Sequence, residues 1–169
     1  MCFAGAGGQG VILCSIVLAE AVFLAGKNVA QSQRYGPEAR GGLCRAELII
    51  DDEKIVYPKV VRADFLLALT QKSLDRYGAG MTGLTVIDGS LKAPENLKVV
   101  ALPILQTAAE VVGNPVTANI VAAGAINALL RLVPDALLEQ AVRMHIPPEA
   151  EQINLVALRE GRELGRRYS

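Results

Sequence analysis

The chain has 169 residues, a length typical of one domain that can bury its own core. Hydrophobic residues make up 51% of it and charged residues 20%, while 17 Lys and Arg balance 17 Asp and Glu, so the formal net charge is zero. This balance argues against a protein that binds nucleic acid or an anionic membrane, since both tasks need a strongly basic surface.

The three cysteines, Cys2, Cys14 and Cys44, show no C-x-x-C spacing. They cannot hold a four-thiolate iron–sulfur cluster within one chain, and their odd number does not indicate a disulfide framework. The sequence shows neither a signal peptide nor a purely apolar segment of about 18 residues, the length that a membrane span requires. We therefore expect a cytoplasmic protein with reduced cysteines.

Short apolar runs bounded by turn residues predict β-strands over the first two thirds of the chain. The predicted strands are residues 1–4, 28–32, 43–50, 55–57, 64–70, 84–87 and 97–102. The acidic stretch Asp51-Asp52-Glu53-Lys54 separates residues 43–50 from 55–57, which predicts a β-hairpin there. The continuous apolar run over residues 65–69 is typical of a central strand that is buried on both faces.

Helices are predicted between these strands and throughout the last third of the chain. Their expected bounds are residues 11–25, 71–77, 106–112, 116–132, 135–145 and 148–167. The first helix is apolar nearly all round, so it must be covered on most sides. Together the elements predict an α/β fold: a single three-layer domain over residues 1–169, with a mostly parallel sheet, an inserted β-hairpin and a helical C-terminal third.

The first distinctive motif is Gly5-Ala6-Gly7-Gly8-Gln9-Gly10, which lies between the first predicted strand and the first predicted helix. Gly5, Gly7 and Gly10 fit the spacing G-x-G-x-x-G, in which glycines permit a tight turn, a close backbone approach and tight packing of helix on strand. A helix N-terminus behind such a turn offers free N–H groups to a phosphate. The turn, with Gly8 and Gln9, is therefore a candidate phosphate loop, although glycines that serve packing alone explain the spacing equally well.

A NAD-binding unit normally places Asp or Glu at the end of its second strand to hold the ribose hydroxyls. The corresponding residues 29–34 contain no acid. Ser32 and Arg34 leave NADP as an alternative, because they suit a 2′-phosphate, whereas NAD itself is disfavoured.

The second distinctive motif is a polar loop with three glycines and a proline, Tyr35-Gly36-Pro37-Glu38-Ala39-Arg40-Gly41-Gly42. Proline fixes its own φ and glycines permit positive φ, so the loop has a defined shape despite its polarity. Binding residues collect in loops that a rigid scaffold holds. By composition alone, however, a solvated connector is the simpler interpretation, with Glu38 and Arg40 exposed.

The two motifs together resemble the gamma subunit, or gamma domain, of 2-oxoacid:ferredoxin oxidoreductases. The resemblance continues in order through the strand that holds Glu47, then Ile55-Val56-Tyr57-Pro58, Ala63-Asp64 with its apolar strand, Gln71, and Asn119-Ile120. It covers almost the whole chain, and a short free-standing chain of this kind looks most similar to the 2-oxoglutarate type. One departure is the short first strand.

The resemblance implies a part of a heteromeric enzyme that decarboxylates a 2-oxoacid oxidatively, forms an acyl-coenzyme A and passes electrons to ferredoxin. It places thiamine diphosphate and the iron–sulfur clusters on partner subunits: alpha- and beta-type chains and a ferredoxin-like chain. For this chain it implies the coenzyme A side of the active site and a subunit interface. Tyr35, Gly36, Pro37, Glu38, Arg40, Gly41 and Gly42 are then the candidate interface or coenzyme A loop.

The residues themselves supply no catalytic set. The single histidine, His145, lies near a predicted helix end, and neither a nucleophile–base pair nor a metal-binding spacing is visible. We therefore expect no catalytic residue and no metal in this chain. Two alternatives stay open beside the gamma subunit: an NADP-binding Rossmann-like oxidoreductase, and a purely structural interaction module.

Overall fold

A computed structural model of the chain describes residues 1–35, 42–79 and 81–168; for Tyr35 it describes the backbone alone. Its strands are β1 (Cys2–Ala6), β2 (Asn28–Tyr35), β3 (Leu43–Asp51), β4 (Phe65–Ala68), β5 (Leu84–Asp88) and β6 (Val99–Leu102). Its α-helices are α1 (Val11–Leu24), α2 (Gln71–Tyr77), α3 (Ile104–Gln106), α4 (Ala118–Leu130), α5 (Asp135–His145) and α6 (Pro148–Arg166). A π-helical turn (Thr107–Val111) continues α3, and a 3-10 turn (Pro115–Thr117) precedes α4.

The strands form one six-stranded mixed sheet in the order β2-β3-β1-β4-β5-β6. Strands β1, β4, β5 and β6 pair in parallel, whereas β3 is antiparallel to both β1 and β2. The α/β fold predicted from the sequence is confirmed. Because β3 lies between β1 and β2, the second strand of the chain is an edge strand, unlike the second strand of a dinucleotide-binding unit.

The predicted hairpin of residues 43–50 with 55–57 is wrong. Strand β3 pairs instead with β2, in a register that runs from Asn28 opposite Asp51 to Tyr35 opposite Cys44. Residues 52–64 leave the sheet after a turn in which the Glu53 N–H donates to Asp51 Oδ1 over 3.0 Å. The sequence pattern favoured the wrong partner because β2 is polar, as an edge strand allows, and therefore gives a weak strand signal.

Helices cover the two faces of the sheet unequally and produce the three layers. The larger core joins Phe3, Leu67 and Val86 to α1, α4 and α5 on one face, whereas Cys2, Ala4 and other side chains of the opposite face pack against α2. Helix α1 is covered on most sides, as its apolar sequence predicts: its first 12 residues include eight that are buried. The thick helical layer thus fixes the start of α1 firmly against the sheet.

Helix α6 packs on α4 through glycines that bring the two backbones together. A Cβ atom at Gly161 would lie 2.0 Å from the Val121 carbonyl oxygen, and one at Gly124 would lie 2.3 Å from the Leu158 carbonyl oxygen. Real Cβ atoms do not approach backbone oxygens this closely, so both positions require glycine. The charged appearance of α6 in the sequence conceals this contact, because glycines surrounded by arginines and glutamates do not indicate a buried helix face.

Candidate functional site

The glycine turn connects the end of β1 to the start of α1. Gly10 is the N-terminal cap residue of α1, with a φ of 70°, and no side chain caps the helix. The first turn of α1 contains no acidic residue. Among the described residues, its N–H groups and the positive end of the helix dipole therefore have no acidic partner within the first turn, an arrangement that suits a phosphate at a helix N-terminus.

The side chain of Gln9 stabilises this turn through two hydrogen bonds. Its Oε1 accepts a hydrogen bond from the Ala6 N–H over 2.7 Å, and its Nε2 donates to the Leu69 carbonyl oxygen, just beyond β4, over 3.4 Å. A Cβ atom at Gly5 would lie 2.6 Å from Gln9 Oε1, so this arrangement needs glycine at position 5. Gln9 is thus a structural residue of the turn, since its backbone N–H also donates within the turn, to the Ala6 carbonyl oxygen over 3.1 Å.

Asn119, near the start of α4, packs directly against the same turn. Its side chain is 4% exposed, and a Cβ atom at Gly10 would lie 2.6 Å from its Nδ2. Its Oδ1 accepts the Ile120 N–H over 3.0 Å, so the amide nitrogen points towards Gly10. The N-termini of α1 and α4 therefore converge on Gly10, a contact that the sequence analysis missed because the two residues are far apart in the chain.

The second motif begins and ends beside the first. Tyr35 is the last residue of β2, Gly42 is buried, and the Gly7 N–H donates to the Gly42 carbonyl oxygen over 2.9 Å. Gly36, Pro37, Glu38, Arg40 and Gly41 lie outside the described residues. The structure thus brings together the ends of both predicted motifs, at the carboxyl end of β1.

Catalytic groups are scarce in the described ranges. No cluster of three or more His, Cys, Asp or Glu side chains that could hold a metal ion occurs among those residues. His145 lies away from the glycine turn, where its Nε2 is 3.3 Å from Glu20 Oε2. Cys2, Cys14 and Cys44 are buried, and burial raises the pKa of each thiol, most strongly for Cys14, which disfavours the reactive thiolate.

No helix in the part of the chain that the structure describes is long and apolar enough to cross a membrane. Fold and site together define a class: an α/β domain that presents a helix N-terminus without a side-chain cap behind a glycine turn, and whose described residues include no recognisable catalytic set.

Comparison with known proteins gives the family. Residues 1–164 match the family model described as pyruvate ferredoxin/flavodoxin oxidoreductase. A 2-oxoglutarate synthase subunit KorC of Archaeoglobus fulgidus is 42% identical over 169 residues, which cover 98% of this chain and 87% of the relative. The chain therefore belongs to the pyruvate ferredoxin/flavodoxin oxidoreductase family.

Two solved structures share the fold. The gamma subunit of a keto/oxoacid ferredoxin oxidoreductase from Geobacter sulfurreducens is 40% identical, with a TM-score of 0.84 over 97% of this chain and 96% of that one. The 2-oxoglutarate:ferredoxin oxidoreductase of Magnetococcus marinus, solved with 2-oxoglutarate, coenzyme A and succinyl-CoA bound, superposes with a TM-score of 0.89. It is 23% identical and covers 99% of this chain but 31% of that longer chain, so it shows the fold alone.

These findings confirm the resemblance seen in the sequence: the chain is a gamma-type subunit of a 2-oxoacid:ferredoxin oxidoreductase, hence one part of a heteromeric enzyme. The NADP alternative gains no support. Its structural basis is also weak, because β3 occupies the position next to β1 where a dinucleotide-binding unit has its second strand. The glycine spacing therefore serves a different purpose in this fold.

Proposed function

We propose that this chain, acting as a single domain over residues 1–169, completes the coenzyme A side of the active site in a complex that acts on 2-oxoglutarate. Gly8 and the start of α1 supply N–H groups to a phosphate of coenzyme A, while the Gly7 N–H holds the turn to Gly42. The loop that follows Tyr35 contacts coenzyme A or the alpha-type chain. The names of the relatives support 2-oxoglutarate as the oxoacid, and the coenzyme A bound to the Magnetococcus marinus protein supports the ligand.

One observation carries this proposal: the hydrogen bond from Gly7 to Gly42, which holds both motifs at the same edge of the sheet. A phosphate at the N-terminus of α1 lies within reach of a loop that starts and ends there. Arg40 of that loop offers a guanidinium, a side chain that binds phosphate in a bidentate manner.

The proposal assigns the remaining chemistry to partner subunits in the cytoplasm. Thiamine diphosphate belongs to the alpha- and beta-type chains, and iron–sulfur clusters belong to chains that include a ferredoxin-like subunit. The three buried cysteines of this chain, whose thiols have raised pKa values, suit neither a cluster nor a nucleophile. This subunit therefore shapes and closes the site.

Gln9→Glu tests the phosphate loop. The new carboxylate keeps an oxygen for the Ala6 N–H but places negative charge inside the turn, next to the N-terminus of α1. This charge weakens the attraction of the helix N-terminus for a phosphate, so we expect the KM for coenzyme A to rise about tenfold, or about 1.4 kcal/mol. The measurement is steady-state kinetics of the reconstituted complex, and the exposed Gln152→Glu on α6 is the matched control. An unchanged KM for coenzyme A in a correctly assembled complex would contradict the loop assignment.

Arg40→Ala tests the second motif. Loss of a charge-assisted contact costs about 1.5–3 kcal/mol, so we expect either a rise in the KM for coenzyme A of about tenfold or more, or a comparable weakening of complex assembly. The exposed Arg159→Ala on α6 is the control. If Arg40→Ala leaves both quantities unchanged, the loop contacts neither coenzyme A nor a subunit.

A further inference from the structure

A basic surface lies on the face of the sheet that α2 covers only in part. In the antiparallel pair of β2 and β3, Arg45 and Glu47 point away from the helical layer, since Cys44, Ala46 and Leu48 belong to the core on the other side. Ser32 lies opposite Glu47. Helix α2 reaches this part of the face through its last residue, Tyr77.

The Arg45 guanidinium is held rigidly on this surface. Its Cζ lies 4.9 Å from the centre of the Tyr77 ring, and its Nη2 forms an ion pair with Glu47 Oε1. Glu47 is 5% exposed and also accepts the Ser32 Oγ hydrogen bond over 3.4 Å. The Arg45 Nε has no hydrogen-bond partner among the described residues. An arginine fixed in this way loses little side-chain entropy when a partner binds.

Two more arginines line a cavity of about 260 Å³ beside Arg45, and we call it the basic cavity. They are Arg62, whose Nη2 donates to Thr82 Oγ1 over 2.7 Å, and Arg76 in the last turn of α2. Within the part of the chain that the structure describes, the lining of the basic cavity contains three arginines and no carboxylate. Among described residues, neither Arg62 nor Arg76 pairs with an acid, so the positive charge of the cavity exceeds what Glu47 neutralises.

An apolar patch adjoins the basic cavity, and we call it the apolar shelf. It consists of Val61, which is 88% exposed, and Tyr57, which is 61% exposed. Val56, also 88% exposed, precedes Tyr57 in the chain. A second cavity, of about 390 Å³, shares Val61 and Arg62 with the first and is lined also by Tyr57. Large apolar side chains seldom stand so exposed together on the surface of a free domain, and arginine with tyrosine is typical of interface centres.

We infer that the basic cavity and the apolar shelf together dock an acidic segment of a partner chain in the oxidoreductase complex, one in which Asp or Glu stands next to a large apolar side chain. The positive charge of the basic cavity requires an acidic residue in the docked segment, and the apolar shelf requires an apolar residue next to it. A small free anion would fill the cavity but leave the shelf exposed, which is why a protein segment fits better. The inference rests on the heteromeric complex and not on the phosphate loop.

The length of a relative also supports a neighbouring polypeptide. The corresponding domain of the Magnetococcus marinus protein accounts for 31% of its chain, so there the same fold is covalently joined to a much larger polypeptide. Where the same fold forms a separate chain, as in the gamma subunit from Geobacter sulfurreducens, contacts of that kind form between subunits. A rigid basic pocket beside an apolar strip supplies both orientation and affinity for such an association.

The test is assembly of the complex from this chain and its partners, followed by size-exclusion chromatography and measurement of the dissociation constant. The double variant Arg62→Glu with Arg76→Glu is expected to raise the dissociation constant at least about tenfold, because charge reversal repels an acidic segment. The pair Arg62→Lys with Arg76→Lys should retain most of the affinity. Arg159→Glu with Arg167→Glu, which reverses two exposed arginines on and just beyond α6, should change nothing.

The apolar part has a separate test. Val61→Asp, at a position 88% exposed, should also weaken assembly at least about tenfold while the circular dichroism spectrum stays unchanged. Wild-type affinity in both the double glutamate variant and Val61→Asp would overturn the inference. Binding of inorganic pyrophosphate to the basic cavity, combined with unaffected assembly of the double glutamate variant, would identify a small-anion site instead and overturn it equally.

Discussion

Gly161→Ala is expected to lower the free energy of unfolding by about 3 kcal/mol or more, measured by urea denaturation of the isolated chain. The reason is the 2.0 Å distance from the added Cβ to the Val121 carbonyl oxygen, which forces α6 away from α4. The sign makes this a sharp test, because the same substitution inside an exposed helix stabilises by about 1 kcal/mol.

The neighbouring exposed substitution Arg159→Ala should leave stability within about 0.5 kcal/mol of wild type and serves as the control. Gly124→Ala, on the facing helix, should destabilise in the same way, since its Cβ would lie 2.3 Å from the Leu158 carbonyl oxygen. A Gly161→Ala protein as stable as the wild type would show that the two helices do not approach as closely as described.

Gly10→Ala is expected to destabilise the chain by about 3 kcal/mol, for two separable reasons. The φ of 70° disfavours any residue with a Cβ, and that Cβ would lie 2.6 Å from Asn119 Nδ2. Because the glycine turn would also shift, the reconstituted complex should lose most of its activity at low coenzyme A concentration. Urea denaturation and steady-state kinetics check the two effects.

Two comparisons separate the strain from the steric clash. Gly8→Ala introduces a side chain at a φ of 97°, where no heavy atom of the described residues beyond its chain neighbours lies within 4 Å of the added Cβ. It therefore measures backbone strain without that clash, about 1–2 kcal/mol. The double variant Gly10→Ala with Asn119→Ala removes the clash and should show a favourable coupling of about 1–2 kcal/mol relative to the two single variants. Strict additivity of Gly10→Ala and Asn119→Ala would contradict the contact.

The sequence predicts well those elements whose burial can be inferred from their own residues. Helix α1 is apolar all round and β4 is a continuous apolar run, so both could be recognised as buried without knowledge of their neighbours. The α/β class follows from them. The pairing of β2 with β3 could not be recognised, because it depends on an edge strand whose polar residues, such as Gln31 and Gln33, give little strand signal.

The candidate site was predictable in its position but only partly in its contacts. The glycine spacing places a turn before α1, and the resemblance joins that turn to the loop that begins at Tyr35. The roles of Gln9 and Asn119 depend on the three-dimensional structure, since each contacts a segment that is distant in the chain: the end of β4 for Gln9 and the glycine turn for Asn119. One signal was available in the sequence: Asn119 lies in an apolar helix near its start, and an amide side chain that is buried there needs a hydrogen-bond partner.

The glycine contact between α4 and α6 has a consequence for the order of folding. Helix α6 emerges from the ribosome after every element that it covers, and until then the small-residue side of α4 has no apolar cover. The thick layer of helices therefore closes late, and chaperones have a defined interval in which to bind an incomplete domain. We expect assembly with partner subunits to follow that closure, so the packing of α6 on α4 sets the time at which the domain is complete.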